Sequence, residues 1–217
     1  MNDEIAHAVC RTRTVFLDIS EGRYFCLDPA GDNAFRGFLS GDRSDAAAEA
    51  LQPLFDRGFR FPPPPSGPLA WRDHFQPATC EHAVGSVSRV RICFLIPLVA
   101  WSLLRASRTI RVGGFRQIVT EITRWSDSAS VRDASTIPSL LDAYQSIRRY
   151  MPWKRTCLLD SLAMLSLLRM FNVRATFVVG VADQPFSAHC WIQSGPRLLN
   201  DRLENIANFE PIIAWDT

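Results

Sequence analysis

Four consecutive prolines, Pro62 to Pro65 within "FRFPPPPSGPLAW" (59–71), constrain this chain more than any other feature. Proline fixes φ and lacks an N–H, so neither a helix interior nor a central strand can pass through such a run, and a stiff extended segment is its natural state. The run reads as a linker over residues 61–70. It divides the 217-residue chain into a small unit at 1–60 and a larger one at 71–217. A hydrophobic content of 47 % is ample for packed cores in a chain of this length.

In the small unit, "TVFLDI" (14–19) and "RYFCLD" (23–28) flank a short turn at Gly22 and predict a β-hairpin. Two helices should follow. "PAGDNAFRGFLSG" has a proline near its start and Gly41 after its end, and "SDAAAEALQPLFDRG" offers Ser44 as N-cap with Pro53 inside. Strand–strand–helix–helix without an acid–base cluster suits a binding module. A small sheet with an open edge can take up an extended peptide by strand addition. The alternative at this point is a cap that only packs on the larger unit.

Beyond the linker, helix-like apolar spacing runs through "VGSVSRVRICFLIPLVAWSLLRASRTI", "GGFRQIVTEITRW" and "STIPSLLDAYQSIRRY", the last with a Thr136/Pro138 start signal. A helix "CLLDSLAMLSLLRMF" from Cys157 then precedes β-rich runs at 175–181, 188–193 and 197–201. Helices followed by a helix on antiparallel strands make an α+β fold. The most apolar run, 92–104, contains Pro97 and is flanked by Arg91 and Arg105. It is too short to span a bilayer and predicts a buried core helix, with no membrane insertion. The amino terminus lacks the apolar stretch of a secretory signal, so a cytoplasmic location is expected. A net charge of +2 gives no electrostatic ground for nucleic-acid binding. The six cysteines, at 10, 26, 80, 93, 157 and 190, show no CxxC spacing and are expected to be reduced, mostly buried thiols.

Chemistry gathers around "PFSAHCWIQSGPRLLND" (185–201). If Ser194-Gly195-Pro196 forms a three-residue hairpin loop, Gln193 faces Arg197 and His189 falls opposite Asp201. Directly opposed residues have Cβ atoms about 5 Å apart, within reach of an imidazole–carboxylate hydrogen bond. Thr156 is a plausible N-cap for the helix that follows, which puts Cys157 in the first turn. The partial positive charge there favours a thiolate. Lys154 and Arg155 would add to that field, whereas Asp160 would oppose it if it faced the sulfur. Nucleophile, base and orienter are the three roles of a thiol hydrolase. Taken singly, Cys157 also suits a small buried hydrophobe, His189 a satisfied strand histidine and Asp201 a turn former. A zinc site built from Cys157, His189, Cys190 and Asp201 is disfavoured, because neighbouring strand residues point to opposite faces.

The segments "CLLDSLAMLSLLRMFNVRATFVVGV", "PFSAHCWIQ" and "LND" resemble the transglutaminase-like cysteine peptidases that mature lasso peptides, the family of the microcin J25 processing protein. The resemblance covers about residues 85–205. It implies a transglutaminase/papain-like peptidase domain at 71–217 with Cys157, His189 and Asp201 as catalytic triad. Residues 1–60 resemble, more weakly, the small winged-helix-like β/α domains that recognise leader peptides, with "MNDEIAHAVC" a poor version of their first strand. The resemblance further implies a precursor peptide as substrate and an asparagine-synthetase-like macrolactam synthetase as partner. No directly bound cofactor is expected. "RVGGFRQ" is too short for a phosphate loop and lacks its lysine, so any ATP dependence is expected to come through the partner. The backbone N–H of Cys157 is a candidate oxyanion donor, with the indole N–H of Trp153 a second. Acyl transfer to an amine, or a non-catalytic peptide-binding scaffold, are the competing readings.

Overall fold

The computed structural model describes residues 5–59, 70–83, 85–126 and 137–217. The proline run and Thr136 lie outside the described residues.

Three antiparallel strands, β1 (Ile5–Val9), β2 (Thr14–Asp18) and β3 (Arg23–Cys26), form a sheet in the order β1-β2-β3. The expected hairpin is β2–β3, and the unpromising amino-terminal segment does supply the extra strand. Helices α1 (Pro29–Leu39) and α2 (Asp45–Asp56) follow. Asp28 caps α1 by accepting from the Gly31 N–H at 2.8 Å, and Ser44 caps α2 as its sequence suggested. Pro53 is accommodated inside α2, one turn from its end.

Strand alternation sends the side chains of β1 and β2 to two different cores. Ile5 and Phe16 meet Phe35, Leu51, Leu54 and Phe59 beneath the helices, with the Phe16 and Phe35 rings 4.9 Å apart. Ala6, Ala8, Val15 and Leu17 face the other way, into the main core of the larger unit. The unbroken apolar reading of "TVFLD" reflects this burial on both faces. Two further contacts fix the sheet in place. Asp183 accepts hydrogen bonds from the Thr12 N–H (2.6 Å), the Thr12 hydroxyl (2.7 Å) and the Arg13 N–H (3.3 Å). The β2–β3 turn brings Gly22, at φ +68°, against the Phe115 side chain with no room for a Cβ.

The larger part comprises β4 (Cys80–Glu81), α3 (Arg89–Ser126), α4 (Ile137–Arg148), α5 (Cys157–Met170), β5 (Thr176–Asp183), β6 (Phe186–Ser194), β7 (Arg197–Leu198), α6 (Leu203–Ile206) and β8 (Glu210–Asp216). Its five-stranded sheet has the order β4-β7-β6-β5-β8. Helix α5 is apolar around its circumference and buried from Ser161 to Leu168, as a helix enclosed by α3, α4 and the sheet must be. The opposite face of the sheet is covered by Trp71, Phe75, Leu203 and Phe209 over Val178, Trp191 and Leu198.

Two expectations need correction. The apolar run 92–104 belongs to the much longer α3, which breaks at Gly114, and only one face of it is buried. Leu95, Val99 and Leu103 enter the core, while Val90, Phe94 and Trp101 stay exposed on the outer side. The stretch Arg89–Thr123 is long and apolar enough to cross a membrane by length and composition, with 28 % of its most apolar window buried. The thiols also differ from expectation. Cys10 and Cys190 are buried, Cys26 and Cys157 half-buried, and Cys80 and Cys93 exposed.

Candidate active site

Thr156 adopts an extended conformation, and its hydroxyl accepts from the Leu159 N–H at 3.3 Å. This starts α5 at Cys157 and leaves the sulfur at a helix N-terminus. The helix runs over β6, whose outer edge is paired with β7 only at Gln193 and Ser194 among the described residues. Side chains occupy that edge instead. The Ser161 hydroxyl, one helical turn beyond Cys157, donates to the Cys190 carbonyl at 3.2 Å. Asn200 accepts from the Ile192 N–H and donates to the Ser161 hydroxyl, both at 2.8 Å. The sulfur of Cys157 completes the row. It lies close enough to the Cys190 thiol, the His189 ring and the Cys190 main chain for each of them to act on its ionisation. Alternation along β6 holds: Cys190 turns into the core and His189 to the other face, beside Trp191. Cys157 meets both because it stands at the strand's edge.

His189 uses Nε2 for the carboxylate of Asp201, which leaves Nδ1 for the sulfur. Its ring packs between Phe209, at 5.2 Å, and Trp191, at 6.3 Å. Gly180 lies opposite His189 on β5, and a Cβ there would come within 2.7 Å of the Trp191 ring. Asp201 is itself fixed through its second oxygen, which accepts from the Asn205 amide (2.7 Å) and the Arg202 N–H (2.8 Å).

The electrostatics follow from these contacts. Hydrogen bonds from the Cys190 thiol and from His189 pull the Cys157 thiol down to about 4, against the opposing effect of burial. The hydrogen bond to Asp201, followed by that to Cys157, lifts His189 to about 9. Burial would raise Asp201, but the hydrogen bonds from His189, Asn205 and Arg202 outweigh it and hold the carboxyl below its ordinary value. Both shifts favour a thiolate beside an imidazolium near neutral pH. Cys190 is pushed well above the ordinary thiol value by its bond to Cys157 and by burial, so it remains a donor. Among the described residues no group of three or more His, Cys, Asp or Glu is placed to hold a metal ion.

The structure brings Cys157, His189 and Asp201 together, but not by the expected hairpin register. Gln193 faces Leu198 and Ser194 faces Arg197, so the loop is two residues long. Gly195 at φ +54° followed by proline is the pattern of a type II′ turn, whose twist matches that of the flanking strands. Pairing stops after Leu198, apart from the Leu199 N–H to Ile192 carbonyl bond at 2.9 Å. Asp201 reaches His189 from a bend held by Asn200 and Asn205, not from an opposed strand position. Trp153 is half-buried against the core, and its main-chain carbonyl accepts from Arg148 at 3.0 Å.

Asp160 does not face the sulfur unneutralised. It is paired with Arg148 at 2.5 Å and with Arg155 at 3.5 Å. Arg148 is 1 % exposed and also holds the carbonyls of Trp153 and Lys154, so one guanidinium ties α4, the loop before Cys157 and the first turn of α5 together. Sequence reasoning missed Arg148, Ser161 and Asn200, and it considered Cys190 only as a disfavoured zinc ligand, not as a neighbour of the Cys157 sulfur. Ser161 could have been found from its i+4 spacing to Cys157, and Asn200 from its place beside Asp201. Nothing in "QSIRRY" separates Arg148 from the exposed Arg149.

The family model described as "Transglutaminase-like superfamily" matches residues 100–214. Among curated proteins, the microcin J25-processing protein McjB of Escherichia coli is 39 % identical over 49 residues, which are 23 % of this chain and 24 % of McjB. The matched segment thus spans about a quarter of that relative's length. No solved structure matches the chain.

Proposed function

The chain belongs to the transglutaminase-like superfamily, and from that premise we propose that it is a cysteine peptidase that removes the leader from a ribosomally made precursor during lasso peptide maturation. The observation that carries this reading is the chain of contacts from the Cys157 sulfur through His189 to Asp201. The Cys157 thiolate attacks the scissile carbonyl and forms an acyl-enzyme as the C–N bond breaks. The His189 imidazolium gives its proton to the departing amine. The neutral ring then takes a proton from water, whose oxygen attacks the thioester and releases the acid. Asp201 fixes the imidazole's orientation and stabilises its cationic form. The N–H of Cys157, free at the helix start, faces the developing oxyanion, and the Trp153 indole is a second candidate donor.

The unit at 1–60 holds the leader. Arg72 donates to the His7 carbonyl on β1, whereas among the described residues no strand pairs with the outer edge of β3. Strand addition on β3 is the mode this sheet offers. The freed core then passes to an asparagine-synthetase-like macrolactam synthetase in the cytoplasm, with any ATP requirement residing in that partner. The likeness to a microcin J25-processing protein supports this assignment.

The test is incubation of the purified chain with a synthetic leader–core precursor, followed by mass spectrometry. Release of a core with a free amino terminus by the wild type, and none by Cys157→Ala, is the expected outcome. A product that has captured an added amine would identify a transferase instead. Release by Cys157→Ala would defeat the peptidase reading.

A further inference from the structure

Residues 186, 188 and 190 of β6 share one face of the strand. Cys190 lies buried beside Cys157, whereas the earlier positions of the strand on that face are uncovered. There Ala188 is exposed, and Phe186 is 51 % exposed. A small side chain between the nucleophile and an aromatic ring leaves the strand uncovered at this point.

The N-terminal sheet extends the same aromatic surface. Tyr24 on β3 pairs with Leu17 and shares its face, turned toward the main core. The Tyr24 ring meets Phe186 edge-on, with centroids 5.6 Å apart. Burial, followed by the neighbouring Cys190 and Cys157 thiol groups, raises its phenol to about 12, as expected of a ring close to the nucleophile.

The strand also offers main-chain partners. Cys190 and Ile192 direct their N–H and C=O groups away from β5, toward Cys157, Ser161, Leu199 and Asn200. The unbroken register of β6 against β5 puts those of Ala188 on the same edge, and among the described residues no strand pairs there.

We propose that this exposed edge of β6, with Ala188 as a low floor beside the aromatic wall made by Tyr24 and Phe186 together, is the subsite for an extended peptide segment flanking the scissile bond. The segment's main chain hydrogen-bonds to the β6 edge at Ala188, and one apolar side chain packs on the Tyr24–Phe186 pair. This deepens the peptidase reading and rests on it. The N-terminal unit then contributes a specificity residue to the catalytic cleft, in addition to holding the leader at β3.

The experiment uses the full chain with Ala188→Leu, Tyr24→Ala and Tyr24→Phe. Three quantities are read: kcat/KM on a synthetic precursor, affinity for the isolated leader, and Cys157 alkylation by a panel of tripeptidyl chloromethyl ketones relative to iodoacetamide. Ala188→Leu and Tyr24→Ala should lower kcat/KM and the ketone-to-iodoacetamide ratio by about tenfold or more, and Ala188→Leu, which lies off the leader-binding strand, should keep leader affinity within about twofold. Tyr24→Phe should keep wild-type values, since the ring and not the hydroxyl forms the wall. If the wild type cleaves the precursor and both damaging variants match it in kcat/KM and in the ratio, the subsite is refuted. If the wild type cleaves no precursor while Ala188→Leu still lowers the ratio, the subsite stands and the leader-peptidase reading falls.

Discussion

Asn200→Ala probes the link between the strand edge and the triad. The amide accepts from the Ile192 N–H and donates to the Ser161 hydroxyl, both at 2.8 Å, and the next residue is Asp201. Ile192 is 0 % exposed, so its N–H loses its partner without gaining water. Loss of two neutral hydrogen bonds, one leaving a buried donor unmade, costs about 2 kcal/mol. For a chain of this length that lowers Tm by about 4–8 °C. Ser161 keeps the Cys190 carbonyl, so the helix–strand contact survives. The functional effect is larger, because the bend carrying Asp201 loses one of its anchors. We expect kcat to fall about 10- to 100-fold with unchanged leader affinity. The alkaline limb of the pH–rate profile should move down from about 9, since the hydrogen bond to Asp201 is the foremost cause of the raised His189 value. Calorimetry and a pH–kcat series measure both effects. A variant that loses the expected stability but keeps the wild-type alkaline limb and kcat would show that Asn200 is only a structural tie.

Wild-type activity should be bell-shaped in pH. It rises as Cys157 ionises through about 4 and falls as His189 loses its proton through about 9, and steady-state rates on the precursor measure this. Cys190→Ala removes the foremost cause of the lowered Cys157 value, so the acid limb should shift to higher pH; an unmoved limb would show that the Cys190 thiol gives the thiolate no support. Gly22→Ala should destabilise the chain by about 1–3 kcal/mol in chemical denaturation, since the turn needs positive φ and abuts Phe115. Arg148→Met leaves the Asp160 carboxylate and two carbonyls short of a buried partner, and a loss of about 3–5 kcal/mol is expected in the same assay.

Local chemistry was the legible part of this sequence. Thr156 and Ser44 announce their helices because a capping hydroxyl acts within three residues. The apolar circumference of α5 announces its burial. Long-range register was less legible. One residue fewer in the loop at Gly195-Pro196 changes every opposed pair, and Asp201 still finds His189 because a bend, not a ladder, delivers it. The long α3 misled because one apolar face is buried while Val90, Phe94 and Trp101 are exposed, a division that the apolar content of the segment as a whole does not record. Buried polar ties such as Arg148 carry no sequence signature, since their partners are main-chain carbonyls of another segment.

Ionisation of a single sulfur is the most direct measurement. Iodoacetamide labelling of the Cys157-bearing fragment, followed by mass spectrometry across pH in the wild type and in His189→Ala, separates it from the exposed Cys80 and Cys93. A thiolate–imidazolium pair gives labelling that rises through pH about 4 in the wild type and only at much higher pH once the imidazole is gone. A single rise in the ordinary thiol range, identical in both proteins, would mean that Cys157 and His189 do not form the pair on which the chemistry depends.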